Sequence, residues 1–241
     1  MKRIVVLGCG WLECTWSSIF ARIPSLKSPF PVLEVLMEYA ENGSIVEDGE
    51  VIIRPMLSET MTIDLDKVGT LACLNSDGLR TLIRTTDIPN MFEKTLRYPR
   101  HVNLMRIFKE TGLLDMTPVQ VEGASVRPID MTAKLLSQLW RYEPGEVDIT
   151  VMKLVISGVE NGKPACYTID MYDEFDPVTG TLSMTRTTGY TCTAVTRLVL
   201  DGGFSQRGIC PPEFVGLVDG CWESVEQYLE ARGVRCRMQR S

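Results

Sequence analysis

Two turn signals limit what this chain can fold into, because each lies between runs of alternating apolar and polar residues. Asp48-Gly49 lies between two short runs, and Asn161-Gly162 lies between the longer runs 147–156 and 165–171. An Asp-Gly or Asn-Gly pair in this setting is a strong short-range signal for a β-hairpin. The sequence therefore predicts a sheet that begins near Ile45 and contains at least two antiparallel hairpins.

Segments with apolar residues three and four positions apart predict helices among these strands. Two of them carry boundary signals, since 129–140 follows Pro128 and 102–111 ends before Gly112. The predicted helices are 32–39, 78–85, 102–111, 129–140, 193–200 and 222–232, with further strands near 71–74 and 234–237. Hairpins crossed by helices indicate an α+β fold with a mixed sheet, from about Ile45 to the C-terminus.

The N-terminus reads differently from the rest of the chain. A basic pair and a short β-branched run lead to Gly8 and Gly10, as at the start of a Rossmann dinucleotide-binding domain. The third glycine of that fingerprint is replaced by Glu13, and no series of alternating strands and helices follows. We therefore interpret residues 1–28 as a remnant of a dinucleotide-binding domain, with Gly8 and Gly10 as cofactor-binding candidates, and residues 29–241 as a separate domain.

Charge and length exclude several classes of protein. The formal net charge of -6 argues against general nucleic-acid binding, which needs a clustered basic face. No run of apolar residues is long enough for a membrane span or a signal peptide, so we expect a cytoplasmic protein. The 8 cysteines show no C-x-x-C pair, and His101 is the single histidine, so we predict reduced thiols and no metal site.

Three polar clusters are candidates for chemistry. Residues 75–82 hold Asn-Ser-Asp at a strand-to-helix turn, where Ser76 or Asp77 could equally serve as a helix cap. Residues 93–101 concentrate arginine, lysine, tyrosine and the histidine, which fits either a clamp for a carboxylate or a solvated strand end. Residues 183–194 place polar groups on a predicted glycine-bearing turn before a helix, where threonines bind an anion or simply cap.

Several sequence blocks follow one another in a characteristic order. The blocks are L-N-S-D-G-L-R-T at 74–81, P-N-M-F-E-K-T-L-R-Y at 89–98, R-P-I-D at 127–130, D-P-V-T-G at 176–180, S-M-T-R-T-T-G-Y at 183–190 and P-P-E at 211–213. Through these blocks the chain resembles the saccharopine dehydrogenase family over residues 29–237. The resemblance implies a substrate-binding and dimerisation domain of an oxidoreductase. It also implies NAD or NADP as cofactor, an amino-acid substrate and a homodimer.

The resemblance implies roles for individual residues. Asp77 and His101 are the expected catalytic residues. The expected substrate-binding residues are Asn75, Ser76, Arg97, Tyr98, Arg186 and Thr188. One departure from the family is Arg100, which stands where glycine is usual.

Two hypotheses follow for the whole chain. In the first it is a saccharopine dehydrogenase-like oxidoreductase, acting at a secondary amine or imine of an amino acid, that lacks most of its cofactor domain. In the second it is a non-enzymatic module that binds a substrate or dimerises. The second predicts exposed apolar side chains where a cofactor domain once packed, namely Trp11, Trp16, Ile19 and Phe20.

Overall fold

A computed structural model of the chain describes residues 3–13 (backbone only), 27–28, 30–143 and 145–241. The strands are β1 (Arg3–Glu13), β2 (Asn42–Glu47), β3 (Glu50–Pro55), β4 (Met61–Leu65), β5 (Gly69–Asn75), β6 (Asn90–Arg97), β7 (Val119–Val121), β8 (Ala124–Val126), β9 (Asp148–Glu160), β10 (Lys163–Glu174) and β11 (Cys236–Arg240). The helices are α1 (Val32–Ala40), α2 (Leu82–Thr85), α3 (Pro99–Glu110), α4 (Pro128–Leu139), α5 (Ser183–Leu200), α6 (Pro212–Gly216) and α7 (Cys221–Glu230).

The strands form a mixed sheet, which confirms the predicted α+β class. Its main path runs β11-β10-β9-β1-β6-β2-β3, while β5 pairs with both β4 and β6, and β7 and β8 form a separate pair. Both predicted hairpins are present, with β2 antiparallel to β3 and β9 antiparallel to β10. The residues at the first turn include Asp48, whose φ of 49° is left-handed, as expected for an Asp-Gly turn.

Strand β1 lies inside this sheet, parallel to β6 and antiparallel to β9. The strand continues through Gly8 and Gly10 to Glu13, with a register shift between Leu7 and Gly10. The sequence placed these glycines at the end of a strand, so the observed strand is longer than the predicted one. The domain boundary at residue 28 stays a prediction. The side chains of Trp11, Trp16, Ile19 and Phe20 lie outside the described residues.

Apolar side chains cover the sheet on two faces. On one face, α1, α3 and α4 pack together over β5 and enclose the largest buried cluster, which includes Leu36, Met105, Ile129 and Trp140. The alternate residues of β5 and β6 point to the other face. There, the buried side chains are Leu71, Cys73, Leu96, Ile149 and Val151.

One predicted helix is much shorter than expected. Residues 78–85 were predicted to be helical, but only Leu82–Thr85 form α2. Arg80 has a φ of 46°, a left-handed conformation that a right-handed helix does not accommodate. Gly78 is also held close to Glu93, since a Cβ added at Gly78 would lie 2.6 Å from the Glu93 carboxylate oxygen. The backbone conformation around Gly78 is therefore determined by packing against β6 and not by local helix propensity.

A second helix begins ten residues earlier than predicted. The turn expected at Arg186–Tyr190 is instead part of α5, which starts at Ser183. Asp148 explains the early start, because its carboxylate accepts hydrogen bonds from the backbone N–H groups of Ser183 at 2.6 Å and Met184 at 2.9 Å. These donors have no partner inside a helix, and a carboxylate also interacts favourably with a helix N-terminus. The capping residue lies on β9, far away in the sequence.

We predict that Asp148→Ala lowers the free energy of unfolding by roughly 2 to 4 kcal/mol, because it leaves two buried N–H groups without an acceptor. Chemical denaturation of the variant and the wild type gives this difference. Asp170→Ala is the matched control, since Asp170 pairs with Lys153 at a partly exposed site and is expected to cost less than about 1 kcal/mol. Equal losses in the two variants would contradict the capping role.

Candidate functional site

A buried arginine at the end of β6 is the centre of the candidate site. Arg97 is 2% exposed, and three of its N–H groups have clear acceptors. Its Nε donates to the Tyr39 hydroxyl at 2.9 Å, one terminal nitrogen to the Leu96 carbonyl at 2.9 Å, and the other to a Glu38 carboxylate oxygen at 3.3 Å. Tyr39 and Glu38 lie at the end of α1, so this helix supplies most of the surroundings of the cation.

The histidine reaches the same cluster because β6 passes directly into α3. Pro99 is the first residue of the helix, and the preceding Tyr98 is extended, as expected before proline. His101 therefore lies in the first helical turn, four residues after Arg97. Its Nε2 is 3.0 Å from the Tyr39 hydroxyl oxygen. The imidazole ring lies between the rings of Tyr39 and Trp140, with centroids 5.6 Å and 5.7 Å away.

Burial and charge keep the histidine neutral. Removal from water, followed by the nearby Arg97 cation, lowers the pKa of His101 from 6.5 to about 3. Burial also raises the pKa of the Tyr39 phenol. Burial lowers the pKa of Arg97, but its interactions with Tyr39, Glu38 and Glu93 together raise it, so the guanidinium keeps its charge. At neutral pH the cluster therefore consists of a fixed cation, a protonated phenol and a neutral imidazole.

Glu93 connects this cluster to the turn at residues 76–78. It lies on the same face of β6 as Arg97, because the two residues are four positions apart on the strand. Its carboxylate accepts the Gly78 N–H at 3.2 Å. Burial raises the pKa of Glu93, against the hydrogen bonds from the Ser76 hydroxyl and the Gly78 N–H. A carboxyl group with a raised pKa beside a fixed cation is a typical feature of a functional site.

Asn75 lies on the opposite face of the sheet from Arg97. It pairs directly with Lys94 across β5 and β6, and the Lys94 ammonium donates to the Asn75 side-chain oxygen at 2.6 Å. Lys94 and Arg97 are three positions apart, so their side chains leave the strand on different sides. The Asn75 amide also donates to the carbonyl and hydroxyl oxygens of Ser58. The structure thus separates two residues that the resemblance placed in one cleft.

The remaining residues of the first predicted cluster hold the turn. The Asp77 carboxylate accepts the Ser44 N–H at 3.3 Å and forms an ion pair with Arg80 at 3.2 Å. The Ser76 N–H donates to the Glu93 carbonyl. The catalytic role of Asp77 and the substrate role of Ser76 stay predictions. Tyr98 is 36% exposed at the start of α3 and remains a candidate beside Arg97.

Arg186 belongs to a different network, at the start of α5. Its guanidinium contacts Asp173 at 3.2 Å and Asp176 at 3.0 Å, and it donates to the Arg232 carbonyl at 2.9 Å. Thr188 lies one helical turn after Met184, with its hydroxyl 3.3 Å from the Met184 sulfur. These contacts join α5 to β10 and to the end of α7. A substrate role for Arg186 or Thr188 stays a prediction.

The described part of β1 bears on the predicted cofactor site. Pyrophosphate binding in a Rossmann domain needs glycines on a loop between a strand and a helix. Gly8 and Gly10 instead lie within β1, between β6 and β9 for part of its length, so the described backbone does not form that loop. Their cofactor role stays a prediction. Within the described part of the chain, no group of three or more metal-binding side chains is found.

No described helix is long and apolar enough to cross a membrane. The described cysteines are free thiols, of which Cys73 and Cys221 are buried. Glu38 and Tyr39 were not predicted from the sequence as members of the site, and Glu93 was given no role, although this residue begins the polar cluster 93–101. In the sequence, Tyr39 is an ordinary buried position of an amphipathic helix. Only the contacts of its hydroxyl with Arg97 and His101 show that it belongs to the site.

The fold and the buried cluster define the chain as a mixed α+β domain with a polar site at a strand-to-helix junction. A family model for the saccharopine dehydrogenase C-terminal domain matches residues 16–234, and the chain belongs to this family. Its fold is also similar to a solved structure described as apo histidine-tagged saccharopine dehydrogenase (L-Glu forming) from Saccharomyces cerevisiae. That match has a TM-score of 0.76 at 16% identity and covers 100% of this chain and 67% of that chain.

We predict that His101 makes the protein less stable in mild acid. The unfolded state takes up a proton near pH 6.5, whereas the folded state does so only near pH 3. Stability from this residue is therefore complete above pH 6.5 and is lost as the pH falls towards 3. Between pH 7 and pH 4.5 the loss is about 2.5 kcal/mol, at 1.36 kcal/mol per pH unit.

Urea unfolding of the wild type and of His101→Gln across this pH range measures that contribution. Glutamine keeps an acceptor for the Tyr39 hydroxyl but does not titrate, and all carboxylates are common to both proteins. The wild-type curve should fall more steeply than that of the variant. Parallel curves would show that His101 is protonated as easily in the folded protein as in the unfolded chain.

Proposed function

We propose that this chain is the substrate-side part of a saccharopine dehydrogenase-like oxidoreductase that acts on a secondary amine or imine of an amino acid. Family membership supports the class of reaction. The observation that carries the proposal is the fixed cation Arg97 in a buried polar cluster. A carboxylate is the substrate group that such a cation binds best, and every amino-acid substrate carries one.

The ion pair between Arg97 and Glu38 shows how the guanidinium can bind a carboxylate. The Glu38 side chain is 53% exposed, whereas that of Arg97 is 3% exposed, and their contact is 3.3 Å. An exposed carboxylate at this distance is a weak partner, because water competes for it. A substrate carboxylate can replace it at the guanidinium while the Tyr39 and Leu96 contacts hold Arg97 in place. Substrate binding then needs little reorganisation of the site.

The residues around Arg97 have defined parts in this proposal. Arg97 binds and orients the substrate carboxylate. The Glu93 carboxyl is a group that can hold or pass a proton at the reacting nitrogen. The neutral His101 imidazole lies beside Arg97 as a polar group for substrate contact, and Asp77 holds the adjacent turn. NAD or NADP, when bound, supplies or accepts the hydride. The described backbone of β1 does not form a phosphate-binding loop.

A specific observation favours a second candidate function. β1 carries both glycines of the partial fingerprint and is hydrogen-bonded into the sheet beside β6 and β9. A chain with this arrangement fits a non-enzymatic module that binds an amino acid or polyamine without a cofactor. A homodimer and a cytoplasmic location remain predictions under both candidates.

Isothermal titration of the purified chain separates the two candidates. The ligands are NADH and NADPH, followed by saccharopine, lysine and carboxynorspermidine. Micromolar binding of a dinucleotide together with an amino acid supports the oxidoreductase. Amino-acid binding without dinucleotide binding supports the module. Absence of any amino-acid or polyamine binding contradicts both.

We predict that Arg97→Gln weakens amino-acid binding by roughly 10- to 100-fold, since a hydrogen bond to a charged group contributes about 1.5–3 kcal/mol. Arg100→Gln is the matched control, because Arg100 is an exposed arginine on the first turn of α3, three residues after Arg97. It should bind amino acids like the wild type. Circular dichroism and thermal unfolding of both variants show whether they fold. An unchanged affinity in a folded Arg97→Gln protein would remove Arg97 from the site.

A further inference from the structure

The hydrogen bonds around Tyr39 couple the direction of donation to the tautomer of His101. Arg97 has only donors, so its Nε–H must donate to the Tyr39 oxygen at 2.9 Å. A phenol has one proton of its own to donate. His101 Nε2 lies 3.0 Å from the phenol oxygen, and it accepts that proton when the ring carries its own proton on Nδ1. Donation then runs from Arg97 to Tyr39 and from Tyr39 to His101.

This direction determines which ring nitrogen of His101 carries the proton. A neutral imidazole has one N–H and one acceptor nitrogen. In the arrangement in which Nε2 accepts from Tyr39, the proton lies on Nδ1. His101 is buried at 3% exposure, and its Nδ1 has no hydrogen-bond partner among the described residues. In that arrangement the chain of donors ends in a buried N–H for which the described residues provide no acceptor.

Such a group is costly and needs an explanation. A buried donor without a partner costs about 1–3 kcal/mol, and most buried polar groups in native proteins are paired. The ring is held between Tyr39 and Trp140, so rotation away from the cluster is restricted. An acceptor that is brought to this position by a ligand would remove the cost.

We propose that Tyr39 is a positioning residue, which fixes His101 as the Nδ1–H tautomer so that this N–H donates to an oxygen of the bound amino-acid substrate. The proposal rests on the function proposed above, since it names a second donor beside Arg97. Arg97 and His101 both contact the Tyr39 hydroxyl oxygen, so the two residues belong to one cluster. Both would present N–H donors to a substrate, and a carboxylate or carbonyl oxygen is the group that such donors recognise.

The tautomer can be measured without signal overlap, because His101 is the single histidine of the chain. Nitrogen-15 labelling of histidine therefore gives two imidazole nitrogen signals, and long-range proton–nitrogen correlation shows which one is protonated. We expect the Nδ1–H form in the wild type at pH 7. An Nε2–H form would overturn the proposal, because His101 would then donate to Tyr39. This measurement needs no variant.

Variants test whether the Tyr39 hydroxyl fixes the tautomer of His101. Tyr39→Phe keeps the ring but removes the hydroxyl, and we expect the single tautomer to be replaced by a mixture of both. Tyr167→Phe is the matched control, since its hydroxyl bonds Glu160 on β9 and the His101 signals should not change. A folded Tyr39→Phe protein that keeps the Nδ1–H form would show that the tautomer has another cause. If this variant does not fold, the wild-type spectrum still decides the direction of the hydrogen bonds.

Addition of saccharopine tests the donor role, with titration calorimetry on the same sample. We expect the Nδ1 signals to shift on binding, and to shift less or not at all in Arg97→Gln. Binding seen by calorimetry without any change at Nδ1 would overturn the donor role while leaving the proposed function intact. If saccharopine does not bind, lysine and carboxynorspermidine are added in turn. Absence of binding of all three would remove the proposed function and the donor role together, and the tautomer result would then stand only as a property of the fold.

Discussion

The burial of the Arg97 guanidinium is the constraint on which the arrangement of this site depends. A buried cation without partners costs several kcal/mol, so the surrounding elements must supply acceptors. Here α1 supplies Tyr39 and Glu38, and the strand supplies the Leu96 carbonyl. The position of α1 over the sheet is therefore set by polar contacts as well as by its apolar stripe. The same contacts bring the Tyr39 hydroxyl to His101.

The pleat of β6 gives the sheet two separate polar sites. Glu93 and Arg97 point towards the helices, while Lys94 points to the other face, where it meets Asn75. Each of the three charged groups is buried and each has defined partners. A one-residue change in the register of β6 would exchange the two faces and leave all of these charges unpaired. The buried charges thus help to specify the register, in addition to any part they have in binding.

Much of the fold could be predicted from local patterns. The hairpins at Asp48-Gly49 and Asn161-Gly162, and the helices α1, α3 and α4, have signals within their own segments, and all of them are present. The predicted helix bounds were wrong where residues distant in the sequence determine the local structure. α5 starts at Ser183 because Asp148 caps it from β9, and the helix expected from Gly78 is shortened where the turn packs against Glu93. For the site, Arg97 and His101 were found as neighbours in sequence, but Tyr39 was not, because a buried tyrosine on a helix has no distinctive pattern.

The sequence by itself determined the class of fold, the hairpins and the succession of motifs that marks the family, because these depend on residues close together in the chain. It also determined that Arg97 and His101 lie four positions apart across a proline, which starts a helix directly after a strand. Only the tertiary structure decided that Asn75 and Arg97 lie on opposite faces, and that Tyr39 joins Arg97 to His101. The physical reason is that buried polar groups take whichever partners the packing of distant elements brings within hydrogen-bond distance.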